Sequence, residues 1–124
     1  MAVTDQTIGK TGETKSLYFK DSFTDMAFLH TLALHGFKGS EIGECYSAAA
    51  QMREGNVESW REVWNTLAER VEGMARAAER QGHRVSARES YLRSVTYYRN
   101  VAWSVRVSDP YYRATIAKSR ALFQ

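Results

Sequence analysis

Residues 56–82, NVESWREVWNTLAERVEGMARAAERQG, decide what kind of fold this chain adopts. Trp60, Trp64, Leu67, Val71, Met74, Ala75 and Ala78 recur at intervals of three and four. That spacing gathers apolar side chains on one side of an α-helix. Glu62, Glu69, Arg70, Glu72, Arg76, Glu79 and Arg80 fall between them and make a solvated face. Asn56 is the expected N-cap, since its side-chain oxygen accepts an amide of the first turn, and Gly82 is the expected stop. Glu72 and Arg76 stand one helical turn apart, a favourable but weak pairing.

The flanking segments give further helices by the same logic. LYFKD at 17–21 reads as extended, and Ser22 with Asp25 makes a capping-box pattern ahead of Phe23, Met26, Ala27, Leu29 and Leu34. Gly36 is the natural end of that helix. A second helix starts after Ser40, with Glu41 and Glu44 in its first turn where carboxylates suit the dipole. It runs through Cys45, Ala48, Ala49 and Met52 to Gly55. Ser86 with Glu89 opens another helix, continuing to about Val107. Asp109–Pro110 places a cap before a proline at the first helical position, opening a last helix through Tyr111, Ile116 and Leu122. The expectation is an all-α protein, a single bundle of about five helices over residues 17–124. A Gly-, Thr-, Lys- and Glu-containing leader, residues 1–16, reads as disordered.

Composition agrees. A chain of 124 residues, 44% apolar and 25% charged, is one domain of ordinary soluble character. Its single proline argues against a turn-rich β-sandwich. The lone Cys45 has no internal partner for a disulfide and reads as a small buried side chain. No apolar run is long enough to span a bilayer, and the first residues lack the apolar centre of a signal peptide, so a cytoplasmic location and no membrane contact are expected.

The formal charge is +3, unevenly spread. Arg84, Arg88, Arg93, Arg99, Arg106, Arg113, Lys118 and Arg120 stand against Glu89 and Asp109, a balance of +6 that leaves −3 for residues 1–83. Two halves folding against each other account for this better than a polyanion-binding half. On a helix turning about 100° per residue, Ala87, Tyr91, Val95, Tyr98 and Ala102 share one side. Glu89, Arg93, Tyr97, Asn100 and Ser104 lie roughly opposite. Arg88, Arg99 and Arg106 form a row with apolar neighbours on both flanks, a poor footprint for nucleic acid, which wants an open basic face. They are expected to pair with carboxylates of another helix, with Glu44, Glu58 and Glu62 as candidates. Arg93 and Tyr97 are the better candidates for a pocket or interface, together with His83 and with Trp60 and Trp64, which read as core or as the floor of an apolar groove.

Catalytic signatures do not assemble. Gly9–Lys10–Thr11 resembles part of a phosphate-binding loop, but position 4 is Thr where a glycine is required, and no strand precedes it. GFKGS at 36–40 has the wrong spacing for a nucleophile elbow. His30, His35, His83 and Cys45 are too scattered for a zinc pattern, so neither a metal nor a cofactor is expected.

Three runs carry a resemblance: GSEIGE at 39–44, ESWREVWNTLAER at 58–70 and GHRVSARESYLRSVTYYRNVAW at 82–103. Gly43–Glu44, Ser59–Trp60 with Trp64, Ser86–Ala87–Arg88, Tyr91–Leu92–Arg93 and Tyr97–Tyr98–Arg99 resemble the helical N-terminal cap of certain α/β-hydrolases. These are enzymes similar to 2,6-dihydropseudooxynicotine hydrolase and to the pigment-pathway hydrolases that shorten polyketide chains. The resemblance covers roughly residues 20–123. It implies a lid-type fold whose usual neighbour, a domain carrying the serine, acid and histidine of the triad, is not matched by any segment here. Hydrolase activity by this chain alone is therefore not expected. Its implied partners are a hydrolase core, a second copy of itself, or an apolar, polyketide-like small molecule. A second function class is a repurposed pathway protein whose pocket binds or cyclises such a compound. A tetratricopeptide-like scaffold ranks below both, because no 34-residue repeat is visible.

Overall fold

The structure, a computed structural model, describes residues 16–104 and 110–123. The expected leader through residue 15 and Arg106 in the last inter-helix segment lie outside the described residues. Among the described residues five α-helices follow one another: α1 (Ser22–Ala33), α2 (Ile42–Ala50), α3 (Val57–Arg80), α4 (Arg84–Ala102) and α5 (Pro110–Phe123). A 3₁₀ turn, Leu34–Phe37, extends α1. No strand occurs among the described residues, and the all-α expectation holds.

α3 is bounded as its sequence dictates. Asn56 Oδ1 accepts the Ser59 amide at 2.8 Å. At the other end Gly82 adopts φ +78°, which lets the Gly82 and His83 amides turn back to the Glu79 and Ala78 carbonyls. Glycine suits this left-handed stop because it has no Cβ to clash.

Other boundaries differ from expectation, the first of them for an electrostatic reason. Asp21, not Ser22, caps α1, its carboxylate accepting the Thr24 amide at 2.8 Å. Asp25 turns outward and binds the amides of Leu17, Tyr18 and Phe19 at 2.8–2.9 Å. That folds the preceding segment back and seats Phe19 in the core. Glu41 is the cap of α2, accepting from Gly43 and Glu44. A charged acceptor at these termini also meets the positive end of the helix dipole. α4 begins at Arg84 rather than Ser86, with His83 as a cap residue whose side chain bonds nothing there. α2 stops at Ala50, short of Gly55. Gly36 lies inside the 3₁₀ turn, and the left-handed residue that ends it is Lys38 at φ 66°.

The antiparallel α3–α4 hairpin is the frame of the bundle. Trp64, Leu67 and Val71 of α3 meet Tyr97, Tyr98 and Val101 of α4, with Phe28 of α1 and Cys45 of α2 in the same core. α1 is tied to α4 by Asn100 Nδ2 donating to Thr31 Oγ1 at 2.9 Å. α5 is tied to α3 by Lys118 and Glu72, 3.8 Å apart. With neighbours on several sides, α4 buries Tyr97 and Asn100 as well as Val95 and Tyr98. The expectation that Tyr97 faces away from the core is therefore corrected: the opposite side of α4 is covered by α1 and α2.

Candidate functional site

α1 carries apolar side chains on both its inner and its outer face, with Asp25 and His30 among its polar positions. Ala27, Phe28 and Thr31 point inward and are buried, while Phe23, Met26 and Leu29 are each more than half exposed. Beside α1 runs a groove of about 390 Å³, walled by Phe19, Phe23, Met52, Val57, Trp60 and Trp103. A shallower hollow of about 350 Å³ continues past Met26 and His30 and shares Phe23 and Trp103 with it. Asp21, Arg53, Asn56 and Ser104 supply polar margins.

The groove's aromatic walls are fixed by contacts behind them. The Trp60 indole N–H donates to the Asn100 carbonyl at 2.9 Å. Its ring meets Phe19 and Trp64 edge-on, at 6.2 and 5.6 Å between centroids. Trp103, at the end of α4, is 49% exposed and lies edge-on to His30 at 6.4 Å. Arg61 anchors the same corner by donating to the Ser104 hydroxyl and carbonyl. The arrangement offers shape and apolar contact with a few polar groups at the margin, the pattern of a recognition site.

A second cluster lies between α2 and α4. Arg93 donates to both oxygens of Glu44, at 3.0 and 3.3 Å. Tyr97 donates its phenolic hydrogen to Glu44 at 2.8 Å and accepts the Glu41 amide at 3.0 Å. Burial pushes the Tyr97 phenol far above its ordinary value, helped by the adjacent Cys45 and Glu44. Burial likewise pushes the fully enclosed Cys45 thiol up to about 11, so it stays protonated and unreactive at neutral pH.

A third cluster is centred on Glu72, which takes hydrogen bonds from Tyr98 at 2.6 Å and from Arg76 at 2.6 and 3.1 Å. Burial alone would raise the Glu72 carboxyl. The Tyr98 and Arg76 hydrogen bonds and the Lys118 charge outweigh it and hold the group below the usual range.

The sequence candidates therefore separate. Trp60 borders the groove. Trp64 and Tyr97 are wholly buried and stacked, with ring centroids 5.4 Å apart, so they support the site from behind rather than line it. The Trp64 indole nitrogen is buried without a hydrogen-bond partner among the described residues. Arg93 is the ion-pair partner of Glu44, the role expected of Arg88 and Arg99. Those two are exposed and make no ion pair among the described residues. Arg93 reaches Glu44 because it shares the α2-facing side of α4 with Tyr97. His83 is exposed at the α3–α4 turn, away from the groove. Trp103 and Phe23 were missed as groove residues. Their signal was a large aromatic at a helix end, which only the packing distinguishes from core. Among the described residues no group of three His, Cys, Asp or Glu side chains converges as a metal site. None of these helices is long and apolar enough to cross a membrane.

No family model matches the chain. Individual proteins do. It is 44% identical over 84 residues to the alpha/beta hydrolase psoB of Aspergillus fumigatus, covering 65% of this chain and 18% of that protein. It is 35% identical over 81 residues to the 20-hydroxy-prefusarin hydrolase FUS2 of Gibberella moniliformis, 65% of this chain and 19% of the relative. Against the hydrolase ORFZ of Pyricularia oryzae it is 30% identical over 112 residues, 86% of this chain and 26% of the relative. The chain thus spans about a fifth to a quarter of the length of these relatives.

Proposed function

From this chain's relationship to the α/β-hydrolases, we propose that it acts as the helical cap of such an enzyme. In that role it covers a catalytic core and shapes the space above it, leaving bond cleavage to the core. The observation that carries the reading is the outward face of α1. Phe23, Met26 and Leu29 lie side by side in solvent on a helix whose other side is already buried. A contiguous apolar face of this kind marks a contact surface. The Phe19, Trp60 and Trp103 groove opens beside it, so a core docked on α1 would close the groove into a chamber.

The test is to mix this chain with the remaining, catalytic portion of the Aspergillus fumigatus or Gibberella moniliformis relative. Size-exclusion chromatography with light scattering then reads the mass. A one-to-one complex, with α1 protected from hydrogen exchange and association abolished by Phe23→Asp, is the expected result. A chain that forms no complex with either core, or pairs only with itself through α1, overturns the cap reading.

The groove supports a second reading, a binding site for an apolar, polyketide-like molecule. Its size falls within the range of small-molecule pockets. The 20-hydroxy-prefusarin named for one relative is the first compound to try, with Trp60 and Trp103 fluorescence as the readout. Saturable quenching that Trp103→Ala removes supports this reading, and an unchanged spectrum overturns it.

A further inference from the structure

At the far end of the α3–α4 hairpin lies a broader groove of about 1150 Å³, enclosed by the start of α4, the end of α5 and the 3₁₀ turn. It is separate from the apolar groove. Trp60 borders one and Arg76 the other, and sixteen residues of helix between them span roughly 24 Å.

Its floor is apolar, made by Ala87, Leu92 and Leu122, and Phe37 stands at the rim with 79% of its surface exposed. Around that floor stand three exposed cations, Lys38, Arg84 and Arg88. Arg84 and Arg88 are one turn apart and so share a side of α4. Among the described residues none of the three makes an ion pair. The other charges at the rim are one more cation and two carboxylates. Arg76 is held by Glu72, and Glu79 accepts the Tyr91 hydroxyl at 2.7 Å. Glu89 is the remaining carboxylate. The result is an apolar strip under a rim of four cations, Lys38, Arg76, Arg84 and Arg88, against two carboxylates, Glu79 and Glu89.

We propose that this groove binds a soluble amphiphilic monoanion, an apolar chain ending in a carboxylate or sulfate. The head group sits among Lys38, Arg84 and Arg88, where charge-assisted hydrogen bonds are the strongest available contacts. The chain lies along Leu92 and Leu122 beneath Phe37. A neutral apolar ligand would leave three cations partly desolvated and unpaired, which is unfavourable. A nucleic acid would meet an apolar floor where it needs a continuous basic surface. This inference is independent of what covers α1.

The experiment titrates decanoate, kept below its micelle concentration, into the ¹⁵N-labelled protein, with decyltrimethylammonium as the charge-reversed control. Saturable shifts are expected at Lys38, Arg84 to Leu92 and Leu122, with the Trp60 and Trp103 indole signals unmoved and the cationic control inactive. Arg84→Ser with Arg88→Ser weakens decanoate binding about tenfold or more, which is at least about 1.4 kcal/mol. Both residues are exposed, and the variant's dispersed amide spectrum verifies its fold. Absent saturation, equal binding of the two head groups, or shifts centred on the tryptophans overturns the proposal. So does unchanged affinity in the double variant, or binding confined to anionic phospholipid vesicles.

Discussion

The Tyr98 hydroxyl donates to Glu72 Oε1 at 2.6 Å, joining α4 to α3 through a carboxylate that Lys118 of α5 also approaches. Three helices thus meet at one largely buried negative charge. Tyr98→Phe leaves Glu72 short of a donor where water does not replace it. A loss of about 1–3 kcal/mol is expected, read from urea unfolding. Tyr91→Phe is the control, because its hydroxyl meets Glu79 at the surface, and it should cost less than about 1 kcal/mol.

Stability should fall in acid with a definite onset. Glu72, Asp25, Glu41 and Asp21 all sit below the usual carboxylate range in the folded chain. Burial opposes this for Glu72 and Asp25, and their hydrogen bonds outweigh it. Amide hydrogen bonds dominate for Glu41 and Asp21. A depressed folded value means stabilisation that is complete above the unfolded value, about pH 4, and lost as pH drops through the folded one. The urea midpoint should therefore be flat from about pH 7 to 5 and decline below about pH 4. Asp25→Asn should make that decline shallower.

The two faces of α1 should respond unequally to truncation. Phe28 is fully buried and meets Phe19 and Tyr46 ring to ring, so Phe28→Ala should cost about 3–5 kcal/mol. Phe23 is 61% exposed, and Phe23→Ser should change stability by about 1 kcal/mol or less. Thermal melts of the two variants check this. Equal losses would mean that α1 is rotated about its axis.

Glycines 73 and 82 make a matched pair for backbone effects. A Cβ at either meets no atom within 4 Å, so sterics with neighbours cancel from the comparison. Gly73 is exposed within α3, and Gly73→Ala should stabilise by about 0.5–1 kcal/mol. Gly82 has φ +78°, and Gly82→Ala should destabilise by about 1–2 kcal/mol because a side chain is strained there. Chemical denaturation of the two variants should shift in opposite directions.

Features set within a turn or two of chain were legible in advance. The helical class, the extent of α3, the Asn56 cap and the Gly82 stop depend on periodicity and neighbouring amides alone. Cap choice was legible less well. Ser22 looks as competent a cap as Asp21, and Ser86 with Glu89 looks like a helix start, although α1 is capped by Asp21 and α4 already begins at Arg84. The groove was half visible: Trp60 could be named, but Trp64 was grouped with it because a helical stripe does not show where a neighbouring helix stops covering it.

By itself the sequence determined that this chain is a bundle of helices with α3 the most clearly marked, and its GSEIGE, Ser-Trp and Tyr-Tyr-Arg runs carried a resemblance to hydrolase caps. Those properties are local, or are written in residue order. Only the tertiary structure decided that Arg93 rather than Arg88 or Arg99 holds Glu44, that Tyr97 is core, and that Phe23 and Trp103 flank a groove. The physical reason is that α4 is packed on several sides. Its arginines and tyrosines divide between buried and exposed roles according to which helix covers each face, a choice made by contacts far apart in the chain.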